Sequence, residues 1–366
     1  TAYTFGVKPE WLNLYAWGDG ANGYLGQGDE TDRSSPVQIP GDNWGPFSGR
    51  GASAYYRANA NVKTDGTLWT WGRAKYGTLG HNQAATYYMS PKQVPGTTWS
   101  AVSSMHYAMI ATKTDGTLWT WGLNQTGRLG DNSQTQRSSP TQIPGTTWST
   151  ANGNISMGRF IAFATKTDGT LWAWGSNDSS EGGLGQNSKT NYSSPVQVPG
   201  TTWNKVSAMM YQCGATQTDG TLWMWGSNAA GELGHNNTTK YSSPVQIGSD
   251  TTWSDLSLGR YMSTAIKTDG TAWVWGNNDD GDLGLNNKTQ YSSPVQMPGT
   301  WNSISGGYQN GGGAKTDGTL WTWGVNDQGE LGQNNRTYYS SPVQIPGTNW
   351  VGIQWGARYA IGRQVR

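Results

Sequence analysis

Residues 63–72 read Lys-Thr-Asp-Gly-Thr-Leu-Trp-Thr-Trp-Gly, and the stretch returns five more times with small changes, Gln217 replacing the lysine once and Ala272 the leucine once. Asp-Gly between two strand-like runs is a strong hairpin signal, because a type I′ turn needs positive φ at both central residues. In the run after the turn, Trp69 and Trp71 fall on one face while Leu68 and Thr70 fall on the other. The spacing predicts a strand covered on both sides.

Working outward, the Trp-Gly dipeptide recurs at Trp17, Trp71, Trp121, Trp174, Trp225, Trp275 and Trp323, at intervals of 54, 50, 53, 51, 50 and 48 residues. Eight residues past most of these anchors stands Leu-Gly, as at Leu79 and Leu283; in the fourth unit Leu184 is ten past Trp174. A short Ser-Pro-Val-Gln run follows, as at Ser35 and Ser341, and its proline predicts an edge strand on the outside of the unit. Each unit ends on a leading tryptophan: Trp44, Trp99, Trp148, Trp203, Trp253, Trp301 or Trp350. Anchor, leading and hairpin positions take 20 of the 22 tryptophans, Tyr15 standing at the first hairpin position. These tryptophans are read as packing residues, each able to bury about 150–250 Å². The array is not read as sugar-stacking or light-sensing.

A unit of about 50 residues with four strands, repeated seven times, predicts an all-β chain. The expected fold is a seven-bladed β-propeller of four-stranded antiparallel blades, one domain over residues 1–366, closed by a blade shared between the N- and C-termini. Trp11 and Trp355, the two tryptophans outside the repeat register, are both expected in that closing blade. The motif set of Asp-Gly hairpin, Trp-Gly, Leu-Gly and Pro-Val resembles the regulator of chromosome condensation repeat family, in the Trp-rich form found in bacterial and phage proteins. The resemblance covers essentially the whole chain.

Composition narrows the function. Lys and Arg total 24 against 23 Asp and Glu, so the net charge is +1 and the basic footprint that nucleic acid requires is missing. Cys213 is the lone cysteine, which excludes an internal disulfide and a multi-thiolate zinc site. No apolar run approaches the roughly 18 residues of a membrane span, and the first residues lack the basic and apolar regions of a leader peptide. Neither membrane insertion nor nucleic acid is expected.

Catalytic patterns do not appear. His81, His106 and His235 are the three histidines, and the equivalent positions of His81 and His235 in separate units keep them from sharing a metal. The run from Asn277 to Asp282 has the hard oxygen donors that calcium takes, yet it fills an ordinary turn of the repeat. The hairpin residues Asp65, Asp115, Asp168, Asp219, Asp269 and Asp317 are read as turn residues. No enzyme, cofactor or metal site is expected.

One set of positions varies inside the constant frame. Nine and eight residues before each hairpin Asp stand Tyr56-Arg57, His106-Tyr107, Arg159-Phe160, Met210-Tyr211, Arg260-Tyr261 and Tyr308-Gln309, with Arg358-Tyr359 at the end of the chain. Arg and aromatic residues are enriched at interface hot spots. These pairs are therefore the candidate binding face, the alternative being a plug of the axial channel. Extra residues after Trp44 and Trp148 are expected to rise beside that face.

The reading favours a non-enzymatic scaffold for structural display or for protein and surface recognition, as a virion structural protein or a bacterial surface or secreted protein. Its partners would be other proteins or assembly subunits, or a surface glycan, and its location extracellular or on a virion surface. The family resemblance implies an alternative, guanine-nucleotide exchange on a small GTPase. The long inserted wedge hairpin expected of that role is absent from the intervals. A glycan-binding lectin is the other alternative.

Overall fold

A computed structural model describes residues 12–47, 58–177 and 182–366. One repeat shows how the sequence builds its sheet. Trp99–Met105, Ala108–Lys113, Leu118–Gly122 and Arg137–Ile143 form four antiparallel strands in chain order. The first strands of neighbouring repeats pack on one another around the axis. Serine hydroxyls tie them together: Ser103, Ser156 and Ser207 accept from the backbone N–H of Met157, Ala208 and Leu258 at 2.9–3.2 Å. The Ser-Pro strand is the outer edge, where a missing N–H costs no ladder bond.

The expected seven four-stranded blades are corrected by the hydrogen bonding. Among the described residues there are five sheets of four or more strands, not seven: four have four strands and one has seven, and a sixth sheet has three. The seven-stranded sheet arises because Tyr291–Gly306 runs unbroken from the outer edge of one repeat into the inner strand of the next, with Thr300 pairing Thr271 across the connection. The three-stranded sheet is Ala58–Val62, Leu68–Arg73 and Tyr87–Val94, with Trp44 bridging to Lys63 beside it. A further sheet joins the two ends of the chain in the order Arg33–Gln38, Leu12–Gly18, Tyr359–Val365, Trp350–Trp355. Trp355 lies in that sheet, and Trp11 is outside the described residues.

What holds sheet to sheet is a bond repeated at every anchor tryptophan. The Trp121 indole Nε1 donates to the carbonyl of Thr78, the residue before Leu-Gly in the preceding repeat, at 2.7 Å. Trp71, Trp174, Trp225, Trp275 and Trp323 do the same to Tyr24, Arg128, Gly183, Glu232 and Asp282 at 2.8–3.1 Å. Trp17 closes the ring on Glu330 at 2.7 Å. The approach demands glycine after the leucine: Gly130 has φ +75°, and a Cβ there would sit 2.6 Å from the Trp174 indole nitrogen. Farther out, Asn132 N–H donates to Ser193 of the next outer strand at 2.8 Å, and Asn334 returns to Ser34 at 2.7 Å.

The repeated hairpin forms, but the two-residue type I′ turn does not. Gly116 has φ +78° while Asp115 is absent from the positive-φ residues. Gly116 N–H donates to Lys113 O and Lys113 N–H to Thr117 O, both at 3.0 Å, giving a three-residue loop with only glycine left-handed. The aspartate works through its side chain instead. Asp115 Oδ1 accepts from the Thr117 N–H and hydroxyl at 3.0 and 2.7 Å, and Thr117 Oγ1 accepts from Trp119 Nε1 at 2.8 Å. Lys113 Nζ lies 4.1 Å above Trp119 and 4.7 Å from the Trp99 ring. Every residue of Lys-Thr-Asp-Gly-Thr-Leu-Trp except the first threonine and the buried leucine thus serves the turn.

Trp121 is fully buried and meets Trp99 edge to face at 6.1 Å, whereas Trp119 is half-buried. Trp121→Ala should destabilise by about 3–5 kcal/mol, the cost of truncating a buried aromatic, and Trp119→Ala by less than half of that. Denaturant midpoints of the two variants check the ranking, and an unchanged midpoint for Trp121→Ala would remove the anchor from the packed interface.

Candidate functional site

Each sheet has two ends. One carries the Asp-Gly hairpins. The other carries the turns between first and second strands, where the variable pairs lie, together with the loops that lead to Leu-Gly. This second end is the turn face.

Burial divides the pairs. His106, Tyr107 and Tyr359 are buried. Tyr359 stacks on Tyr24 and donates its hydroxyl to Asn59 Oδ1 at 2.8 Å, which makes it a packing residue. Arg159, Phe160, Tyr211, Arg260 and Tyr308 are half-buried, and Tyr261 and Arg358 are exposed. Tyr56 and Arg57 lie outside the described residues. The extra residues after Trp148 do not rise beside Arg159. Trp148 bridges to Lys166 and Ile155 pairs with Ala164, so residues 149–154 bulge at the hairpin end. The register leaves them no other place, since the strand carrying Arg159's turn starts only at Ile155. The extra residues after Trp44 fall largely outside the described residues.

The structure brings the pairs into two arcs. In the first, Tyr76 meets Tyr107 at 5.1 Å, His106 meets Phe160 at 5.4 Å, and Phe160 stacks on Tyr211 at 5.5 Å. Lys75 lies 4.9 Å over Tyr76, and Arg159 lies 4.8 Å over Phe160. In the second, one guanidinium serves two rings: Arg260 is 4.7 Å from Tyr261 and 4.1 Å from Tyr308 of the next repeat. Cation–π contacts of this kind hold the side chains in place while leaving part of their surface to solvent.

A position absent from the sequence expectation organises the face. The residue before each Leu-Gly gives its carbonyl to the anchor tryptophan, and at Thr78 and Arg128 the side chain also reaches the next repeat's turn. Arg128, 1% exposed, donates to the carbonyls of His106 at 3.0 Å and of Arg159, and its Nη1 faces His106 Nδ1 at 3.1 Å, making that nitrogen the acceptor. Burial holds the His106 imidazole down to about 3, with Arg128 and Arg159 adding to it, so the ring is neutral near pH 7. Burial and Arg159 lower Arg128 to about 10. Thr78 donates to Tyr107 O at 3.0 Å. In the following repeats the same position holds Glu232, Asp282 and Glu330, all buried. Burial, reinforced by Asp280 and Asp279 and opposed by Lys288, raises Asp282 to about 7. Burial raises Glu330 to about 7, against hydrogen bonds from its own backbone and Gln328 and the charge of Arg358, with Asp327 raising it. Glu232 is raised for the same first reason. The signal was present in the sequence as a series Tyr24, Thr78, Arg128, Gly183, Glu232, Asp282, Glu330 inside an otherwise constant motif.

The face therefore has a basic sector around Lys75, Arg128 and Arg159 and an acidic sector around Glu232, Asp282 and Glu330. Among the described residues, no group of three or more His, Cys, Asp or Glu is placed to hold a metal ion. His81 and His235 each pack edge-on against a tyrosine of their own repeat, Tyr88 and Tyr241. No described helix is long and apolar enough to cross a membrane.

A ring of sheets presenting variable charged and aromatic turns at one end defines the class: a repeat β-propeller. Residues 13–362 match the model of the RCC1-like domain, and the chain belongs to that family. The Arabidopsis thaliana ultraviolet-B receptor UVR8 is 35% identical over 80 residues, 22% of this chain and 18% of that protein. Human E3 ubiquitin-protein ligase HERC2 is 35% identical over 78 residues, 19% of this chain and 2% of that protein. The matched stretches thus span less than a fifth of either relative. Yeast RCC1 (Prp20), solved bound to Kap60, superposes with a TM-score of 0.82 at 17% identity, covering 98% of this chain and 89% of that one. Human WBSCR16 superposes at 0.81 and 17% identity, covering 96% and 98%. These two likenesses concern the fold.

Glu330 supplies a pH test. Its folded pKa lies above the ordinary 4.5, so the folded chain holds the proton to about pH 7 while the unfolded chain releases it above 4.5. Its contribution to stability is present below pH 4.5 and is lost as pH rises to about 7. His106 has the opposite slope, full above about 6.5 and lost as pH falls toward 3, so the difference between variant and parent is the quantity to read. Glu330→Gln should match wild type near pH 4 and exceed it by on the order of 3 kcal/mol at pH 8. Urea midpoints across pH 4–8 check this, and a difference independent of pH would refute it.

Proposed function

We propose that this propeller is a non-catalytic protein-binding scaffold whose contact surface is the turn face, centred on Arg159, Phe160, Tyr211, Arg260, Tyr261, Tyr308 and Arg358. One observation carries the reading. The frame repeats almost residue for residue, while the turns that vary hold arginines stacked on aromatic rings and part-open to solvent. Arginine and tyrosine held in this way lose little side-chain freedom on contact, which is why they dominate hot spots. His106, Tyr107 and Tyr359 support the face from below. The polar outer strands, rich in Ser, Asn and Thr, and the net charge of +1 suit display on a virion or bacterial surface, with assembly subunits as partners.

A second reading, nucleotide exchange on a small GTPase, takes its support from kinship. The structure of Prp20p from Saccharomyces cerevisiae, which has a TM-score of 0.82 and 17% identity to this chain, was described with its binding properties to Gsp1p and histones. A nucleotide-release assay against candidate GTPases separates the two readings, since clear acceleration would favour exchange. Finding the chain in purified particles or in culture medium would decide between virion and secreted origins.

The double variant Arg260→Ala/Tyr261→Ala should weaken partner binding by at least about 2 kcal/mol, the hot-spot threshold, and leave the thermal midpoint nearly unchanged because Tyr261 is exposed. Binding and melting are measured on the same sample. A clear drop in midpoint with binding intact would mark these residues as a plug.

A further inference from the structure

We infer that the pocket between the 260–261 turn, the 277–282 loop and the 308–309 turn accepts the positively charged end of a lysine or arginine side chain from a protein partner. The pocket opens on the turn face, and its occupant being part of a protein rests on the reading above.

Four observations converge. The first is charge. Asp279, Asp280 and Asp282 line the pocket with Arg260 as the one cation among its lining residues. Asp279 is satisfied internally, accepting from Gln290 Nε2 and Asn277 Nδ2 at 2.9 Å, and Asp280 accepts from Gln309 Nε2 at 3.1 Å. Asp282 is different. It is 3% exposed, and its Oδ1 is buried with no hydrogen-bond partner. A carboxylate oxygen removed from water without a donor is costly, and the cost is removed when a donor enters.

The second is comparison with the neighbouring repeat. Glu330 occupies the position of Asp282 one repeat later and feels the charge of Arg358 on the turn it faces. The turn facing Asp282 carries Tyr308-Gln309 and brings no cation, and the positive charge that acts on Asp282 is that of Lys288, which is not among the pocket's lining residues. The third is the walls. Tyr261 and Tyr308 both line the cavity, and their rings already hold one guanidinium, so the same rings suit a second cationic group. The fourth is size. The cavity is about 170 Å³, which suits the end of one long side chain and not a folded segment. A metal ion is a poorer fit, because the carboxylates do not form a group placed to hold one.

Asp282 holds a carboxylate oxygen buried without a donor, so removing its charge need not weaken the fold. Asp282→Asn keeps the shape and removes the unpartnered charge. It should melt no lower than wild type at pH 8, the reverse of what a purely structural acid would give.

The test uses the full chain and defined probes: Ac-Gly-Arg-Gly-NH2 and Ac-Gly-Lys-Gly-NH2, the neutral isostere Ac-Gly-citrulline-Gly-NH2, and calcium chloride, titrated by calorimetry and by amide chemical shifts. Saturable binding of either basic peptide in the low millimolar range is expected, at least about tenfold tighter than the citrulline peptide. It should fall at least about tenfold in Asp282→Asn and shift the amides of residues 260–262, 279–282 and 308–309. Equal binding of the neutral peptide, binding unchanged in Asp282→Asn, or calcium displacing the peptide from the same amides would overturn the proposal. So would no binding at all. None of these outcomes touches the Arg260/Tyr261 experiment, which reads the partner and not the probe, so failure of the pocket and failure of the face are distinguishable.

Discussion

The indole N–H of each anchor tryptophan, bonded to the carbonyl before Leu-Gly in the preceding repeat, is the constraint on which the ring depends. A thin sheet cannot bury both faces alone, so every repeat must lean on its neighbours. A buried indole N–H must also find an acceptor, because leaving it without one costs about 1–3 kcal/mol. Placing the acceptor on the adjacent repeat joins the two requirements in one contact. Packing then comes with a fixed register between sheets. The first and last repeats meet the same condition through Trp17 and Glu330, so the chain closes by the rule that builds its interior.

That bond has a consequence for the turn face. It consumes the backbone carbonyl of the residue before Leu-Gly and places no demand on its side chain. The side chain's identity is therefore free, and at Thr78 and Arg128 it reaches the next repeat's turn. Arg128 uses this freedom to bind the carbonyl of His106 on its own repeat's turn and that of Arg159 on the next. Glu232, Asp282 and Glu330 use it to place carboxylates where burial holds on to their protons. A buried acid whose proton is held by burial works against folding once it ionises, and three such residues in successive repeats concentrate that cost in one sector of one face. Stability alone would favour an amide or an apolar residue there. The opposite end of the ring shows the contrast: the hairpin aspartates are held below the usual carboxylate range by the threonine donors two residues on, Thr117 for Asp115 and Thr319 for Asp317.

Much of the molecule was legible in the sequence because it is local or periodic. The hairpins, the outer Ser-Pro strands, the packing role of the tryptophans and the kinship with RCC1-like repeats follow from spacing and residue type, and the candidate face was visible as variation against a constant background. What failed was what depends on neighbours. Asp-Gly suggested a type I′ turn, but the aspartate finds a better use for its carboxylate on Thr117, leaving glycine alone left-handed. Seven units in sequence did not become seven separate four-stranded blades, because Tyr291–Gly306 passes from one repeat to the next without breaking its ladder. The residues after Trp148 looked like a loop beside Arg159 and are instead a bulge at the far end, since strand register and not sequence distance decides which end receives them.

By itself the sequence determined that the chain is an all-β repeat protein and which residues form its frame, because turn chemistry and alternation act within a few residues of each other. Only the tertiary structure decided which variable residues are surface and which are support. Tyr359 and Tyr261 occupy the same position in the repeat, yet one is locked between Tyr24 and Asn59 and the other stands open beside Arg260. It also decided that Asp282, unlike Asp279 and Asp280 of the same loop, has a carboxylate oxygen buried without a donor. Burial and hydrogen-bond satisfaction are properties of what packs around a group, and the groups packed around Asp282 come from separate repeats.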